Sequence, residues 1–136
     1  MPNPQNLPLP ILDFQQFQTD PTNFVQPLKE ALFTTGFFYL KNHDIPKEKI
    51  QKQFQRSKDF FQQDKSVKSE TPISSNNAGY SAAGVEKLDP KLGVDLKEAF
   101  NFRLFPESER TRLPTIFAEH EEEIIGFYKA CHNLCS

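Results

Sequence analysis

The sequence predicts an α+β domain of about three helices and four short strands. Three observations carry that prediction. Apolar residues recur with a 3.6-residue period in three segments, each opening on a proline. Between those segments lie short apolar or alternating runs, too short for helices and bounded by turn residues. A chain of 136 residues is the size of one ordinary domain, enough to bury roughly two thirds of the surface its unfolded form exposes around a single core.

The first ten residues contain four prolines, which forbid regular helix, so residues 1–10 are expected to form an extended arm running into "ILDF", a short strand. Asp20 followed by Pro21 marks a helix start: the carboxylate caps free N–H groups and proline suits the first helical position. Phe24, Val25, Leu28, Ala31 and Leu32 then form one stripe, and Gly36 ends the helix as a left-handed cap. "FFYLK" reads as a buried strand.

Pro46 opens a second helix, with Ile50, Phe54 and Phe61 on one side, Phe60 beside them, and an end near Gln63. Residues 64–78, "DKSVKSETPISSNNA", are polar, aperiodic and broken by proline, which predicts a mobile surface loop of the kind that borders sites. "GYSAAGVE" and "LKEAFNFRLF" read as two strands that can pair, the second alternating Leu96, Glu98, Phe100, Phe102 and Leu104 against the residues between them. From Pro114 a last helix carries Phe117, His120, Ile124, Phe127, Cys131 and Leu134 on one stripe. It reaches Ser136 with no glycine or asparagine stop, so a patch from Phe117 to Leu134 and unpaired strand edges are expected to lie open and drive self-association.

Fourteen phenylalanines against no tryptophan predict a packed aromatic core. Sixteen basic residues against 18 acidic ones give a net charge of -2, with no basic block, so no nucleic-acid partner is expected and a small molecule or a protein is. No apolar run is long enough to span a bilayer and the start lacks the order of a secretory signal, which predicts no membrane partner and a cytoplasmic protein. Cys131 and Cys135, four apart on one helical face, read as reduced, buried thiols acting as small hydrophobes, with a metal or redox role as the alternative.

Iron(II) in non-haem oxygenases takes two imidazoles and one carboxylate on one face of the metal. His-x-Asp on a strand supplies two of these, because residues two apart point to the same side. His43 and Asp44 are adjacent and diverge, so they read as a turn in which Asp44 takes a left-handed or bridging conformation. His120 and Glu122 have the spacing but fall in a helix, where two residues turn through about 200°, so His120 reads as a partly buried helix residue and His132 as a solvated one. No metal ligand, no catalytic residue and no cofactor bound by this chain alone are therefore expected. Gly79, Gly84 and Gly93 fit no phosphate-binding loop, no nucleophile elbow is present, and "EHEEEI" at 119–124 reads as a solvated helix face near an N-terminus.

The order and spacing of "LPLPILDF", "ALFTTGFFYLKNHDIP", "DFFQQDKSVK", "AGYSAAGVE" and "DLKEAFNF" resemble the N-terminal region of the iron(II)- and 2-oxoglutarate-dependent dioxygenases related to isopenicillin N synthase, from about Leu9 to Cys135. The resemblance implies one non-haem dioxygenase N-terminal domain over 1–136, forming the helical cap and edge strands of an incomplete double-stranded β-helix, or jelly roll. It implies a fragment that packs a catalytic half, in cis or in trans, and shapes the substrate entrance without being catalytic alone. Iron(II), 2-oxoglutarate and a small-molecule substrate belong to the complete protein, whose H-x-D, distal His and R-x-S are not in this sequence. The alternative is a stand-alone, non-catalytic binding or assembly module derived from that family. Two departures stand out. Asp44 replaces the family's glycine, and "NAGYS" replaces R-A-G-Y-Y, which removes an arginine clamp and disfavours that tripeptide substrate. The substrate-proximal positions implied are Asn77, Tyr80 and Ser81, with Tyr80 read first as packing a loop onto the sheet and only second as a substrate contact.

Overall fold

The computed structural model describes residues 9–84 and 96–136. Most of the expected arm, the end of "GYSAAGVE" and Gly93 lie outside the described residues. The chain divides into two units, Met1–Ile45 and Pro46–Ser136. Helices and small sheets are mixed in both, and each carries its own apolar cluster. The single core expected from length is thus two, because strands of three residues form two separate two-stranded sheets, and burial gathers around each. Among the described residues no helix is long and apolar enough to cross a membrane.

In the first unit, β1 (Ile11–Asp13) leads directly into α1 (Phe14–Thr19), then α2 (Pro21–Thr34) and β2 (Tyr39–Lys41). β1 and β2 pair in parallel, Ile11 opposite Tyr39, Leu12 opposite Leu40 and Asp13 opposite Lys41. Leu12, Phe24 and Ala31 are buried, with Leu28, Phe38 and Leu40 packed against them. Asp20 caps α2 by accepting the Asn23 N–H at 3.2 Å. Gly36 follows the helix at φ +73° and its N–H returns to the Ala31 carbonyl at 3.0 Å, the left-handed stop the sequence predicts. The stripe on α2 is narrower than expected, since Val25 and Leu32 are exposed.

α1 is absent from the sequence reading. Six residues are too few for periodicity to register, and its signal is the cap: Asp13 accepts the Gln15 N–H at 3.1 Å. The same carboxylate receives the Asn42 amide at 2.9 and 3.0 Å and the Lys41 ammonium at 3.2 Å. The Asn42 bond, first among several, holds the Asp13 carboxyl below its usual range.

The second unit runs α3 (Lys47–Phe61), α4 (Lys65–Lys68), β3 (Gly79–Ser81), β4 (Ala99–Asn101), two 3₁₀ turns (Glu107–Glu109 and Thr115–His120) and α5 (Glu121–Cys135). β3 and β4 pair antiparallel with Tyr80 opposite Phe100. Phe60 is the hub of the core, 1% exposed. Its ring meets Phe61, Phe100 and Phe117 at centroid distances of 5.2, 5.2 and 5.3 Å and Tyr80 at 6.0 Å, mostly edge to face, as the ring quadrupoles favour.

Phe54, placed on the inner side of α3, is 74% exposed; the inner side turns on Phe60, which is about 100° round the helix from Phe61. The aromatic core is real but partial, since Phe33 and Phe37 are also largely exposed. The stretch 64–78 contains α4 and a parallel bridge from Pro72 to Tyr80. Phe117, expected in an open patch, is buried. His120, expected to be partly buried, is exposed, because residues 115–120 are 3₁₀ rather than α. Cys131 is half-buried and Cys135 exposed, so the pair is not a buried one; burial, with Cys135 beside it, raises the Cys131 thiol.

Candidate functional site

The site residues named from the sequence lie on and just before β3. Gly79 makes the bend possible. Its φ is +109° and a Cβ there would stand 2.5 Å from the Pro72 carbonyl oxygen and 2.8 Å from that of Thr71, so only glycine lets the 71–73 backbone lie against the strand. Through that contact the Tyr80 N–H reaches the Thr71 carbonyl at 2.7 Å, and the Ile73 N–H reaches the Tyr80 carbonyl at 2.8 Å.

Asn77, Tyr80 and Ser81 do not share an environment. Asn77 is exposed, sits at φ +61° and accepts the Asn101 amide at 3.1 Å. Tyr80 and Ser81 are both buried. Tyr80 packs on Phe60 and donates its hydroxyl to Glu98 Oε1 at 2.9 Å. Its ring therefore packs into the aromatic core while its backbone pairs with Thr71 and Ile73, and its polar tip belongs to a partly buried ionic network.

That network is what sequence reasoning missed. Lys68, on α4, is buried and places Nζ 2.9 Å from each oxygen of Glu98 and 5.7 Å from the Tyr80 ring centroid. The hydrogen bonds from Lys68 and then Tyr80 hold the Glu98 carboxyl below its usual range, and the bond to Glu98 raises the Lys68 ammonium. Burial, with Glu98 nearby, raises the Tyr80 phenol. The one available signal was Glu98 in "DLKEAF"; nothing local in "DKSVK" distinguishes Lys68 from its neighbours.

The histidines stay apart in role. His43 Nδ1 accepts the Ile45 N–H at 3.2 Å, between Asn42 at φ +55° and Asp44 at φ +59°, so the "NHD" run is a turn with Asp44 left-handed. His132 is exposed and stacked on Tyr128, with ring centroids 6.4 Å apart. Of the acids opening α5, Glu123 is paired with Arg56 and Lys52, and Glu121 with Arg110. Among the described residues no group of three or more His, Cys, Asp or Glu side chains converges as a metal cage would require. These described residues therefore do not fit an iron(II) site.

Residues 9–120 match the family described as "non-haem dioxygenase in morphine synthesis N-terminal". Over 133 residues the chain is 30% identical to a UPF0676 protein of Schizosaccharomyces pombe, covering 95% of this chain and 41% of that protein. Over 109 residues it is 28% identical to the 2-oxoglutarate-Fe(II) type oxidoreductase ppzC of Metarhizium rileyi, covering 76% and 29%. A full-length Neurospora crassa protein, solved in complex with alpha-KG, superposes with a TM-score of 0.77 at 27% identity, over 97% of this chain and 45% of that one. The chain spans less than half the length of each of these relatives. On the match across residues 9–120, the chain belongs to the N-terminal family of the 2-oxoglutarate/iron(II) oxygenases.

Proposed function

We propose that this chain is the N-terminal part of a 2-oxoglutarate/iron(II) oxygenase, which packs against a catalytic jelly roll and forms one wall of the substrate entrance. The observation that supports this most is the likeness to the Neurospora crassa protein, which extends over 97% of the chain while spanning 45% of a relative solved with alpha-KG. Iron(II), 2-oxoglutarate and the oxidation they perform belong to the catalytic half, in cis or in trans.

On this reading the three named positions differ in task. Asn77, exposed on a left-handed turn, is the one that touches substrate. Tyr80 and Ser81, buried behind it, position the turn. Lys68 and Glu98 hold Tyr80 in place from below.

The test is 2-oxoglutarate turnover. The purified 136-residue chain is expected to show none with iron(II) added, and turnover is expected once a polypeptide carrying H-x-D, a later His and R-x-S is supplied. Turnover by the chain alone would overturn the proposal. Coding sequence for those motifs directly downstream in the genome supports it, whereas unrelated sequence there supports the stand-alone module instead.

A further inference from the structure

An open cleft of about 450 Å³ lies in the second unit between the 71–78 segment and residues 108–112. Its floor and rim are hydroxyls, an amide and guanidiniums: Thr71, Ser75, Asn76, Ser108, Arg110 and Arg112 line it.

Local backbone pairing fixes the two arginines on one side. Thr111 between them is buried. Its N–H reaches the Arg103 carbonyl at 2.8 Å, and its hydroxyl accepts the Arg103 N–H at 2.7 Å. Thr111 is thus anchored inward between two arginines that both line the cleft.

Two guanidiniums against one carboxylate line the cleft. Glu109 also lines it, but its carboxylate is taken by Arg103 at 3.0 Å. Arg103 itself is held by a second bond to the Asn76 carbonyl at 2.8 Å. Arg110 is paired with Glu121. Arg112 is exposed and has no ion pair among the described residues. Glu70, whose carboxyl the Arg112 charge helps to hold below its usual range, is bound by the N–H and hydroxyl of Thr115 at 2.7 Å each. Thr71 adds an independent observation. Its hydroxyl is buried and, among the described residues, has no hydrogen-bond partner, a state that folded proteins resolve with a bound water or ligand.

We propose that this cleft is an oxyanion site, taking the carboxylate or phosphate group of a small metabolite. Arg112 supplies paired N–H donors in the fork geometry that suits such groups. The unpaired N–H groups of Arg110 and the hydroxyl of Ser108 complete the shell.

The full chain is titrated with inorganic phosphate and, separately, with succinate, at ionic strength held constant with chloride, following amide resonances of Thr71, Asn76 and Arg112. Saturable shifts at those residues are expected. Arg112→Gln should weaken binding about tenfold, and Lys49→Gln, in a different cleft, should leave it unchanged. Tighter phosphate binding assigns a phosphorylated ligand, and tighter succinate binding a carboxylate. No saturation with either anion, or equal binding by the Arg112→Gln chain, would overturn the site.

Discussion

Lys68 and Glu98, 30 residues apart in sequence, meet with the ammonium 2.9 Å from both carboxylate oxygens. The folded state lowers the Glu98 carboxyl. Its contribution to stability is therefore complete above the ordinary glutamate value of 4.5 and lost as pH falls through the lower folded value. Glu70, held chiefly by the Thr115 hydroxyl, and Glu123, held chiefly by Arg56, act in the same direction. Urea midpoints should hold steady from neutral pH and fall steeply below 4.5. The Lys68→Met chain, whose Glu98 keeps only the Tyr80 bond and gains less by ionising, should lose less over that acid range.

The alkaline limb has the opposite sign. Lys68 and Tyr80 are both raised on folding, so their contributions are present below the ordinary values of 10.5 and 10.0 and lost as pH rises through the folded ones. Tyr80→Phe removes the hydroxyl bond to Glu98 and should destabilise by about 1 kcal/mol at neutral pH. It should also flatten the alkaline decline, as read by chemical denaturation.

Phe60 and Phe54 occupy the same helix and differ only in the side they take. Phe60→Ala opens a void against Phe61, Tyr80, Phe100 and Phe117 and should cost about 3 to 5 kcal/mol. Phe54→Ala, at 74% exposed, should stay within about 0.5 kcal/mol. Equal losses at the two positions in thermal melts would contradict the packing described.

Gly36 and Gly79 both sit at positive φ, but only one is crowded. Gly36→Ala meets open space and should cost about 1 kcal/mol for the left-handed backbone alone. Gly79→Ala adds the clash with the Pro72 carbonyl at 2.5 Å, so its loss should exceed that of Gly36→Ala by about 1 to 3 kcal/mol. Urea titrations of the two variants compare them directly.

What the residues disclosed in advance was whatever local chemistry decides. Asp20 before Pro21 named a cap, Gly36 named a left-handed stop, and the pairing of β3 with β4 followed from two strand-like runs. Asp44 at φ +59° explains why glycine is the family's residue there, and why aspartate, which tolerates that region, can replace it. The phase of a helix was harder to read. Ile50, Phe54 and Phe61 have helical spacing, but spacing alone does not say which side of α3 a neighbouring element will cover.

The stripe through His120 failed for a geometric reason. Six residues of 3₁₀ helix turn about 120° each rather than 100°, so the count from Phe117 slips before α5 begins at Glu121. Within α5 the stripe holds, with Ile124, Phe127, Cys131 and Leu134 all half-buried. Lys68 with Glu98 was illegible because no pattern of single residues reports a partner 30 positions away.

Asp13 binds both the first turn of α1 and the amide of Asn42, 29 positions further on. Half of that role is available to a nascent chain at once, since Gln15 is two residues away. The other half waits until the intervening segment, α2 included, has folded back, because closing a long loop spends entropy before any contact repays it. The strand pair that Asp13 fastens is therefore expected to form late in assembly. Loosening it with Asn42→Ala should speed unfolding while leaving the refolding rate nearly untouched in stopped-flow measurements.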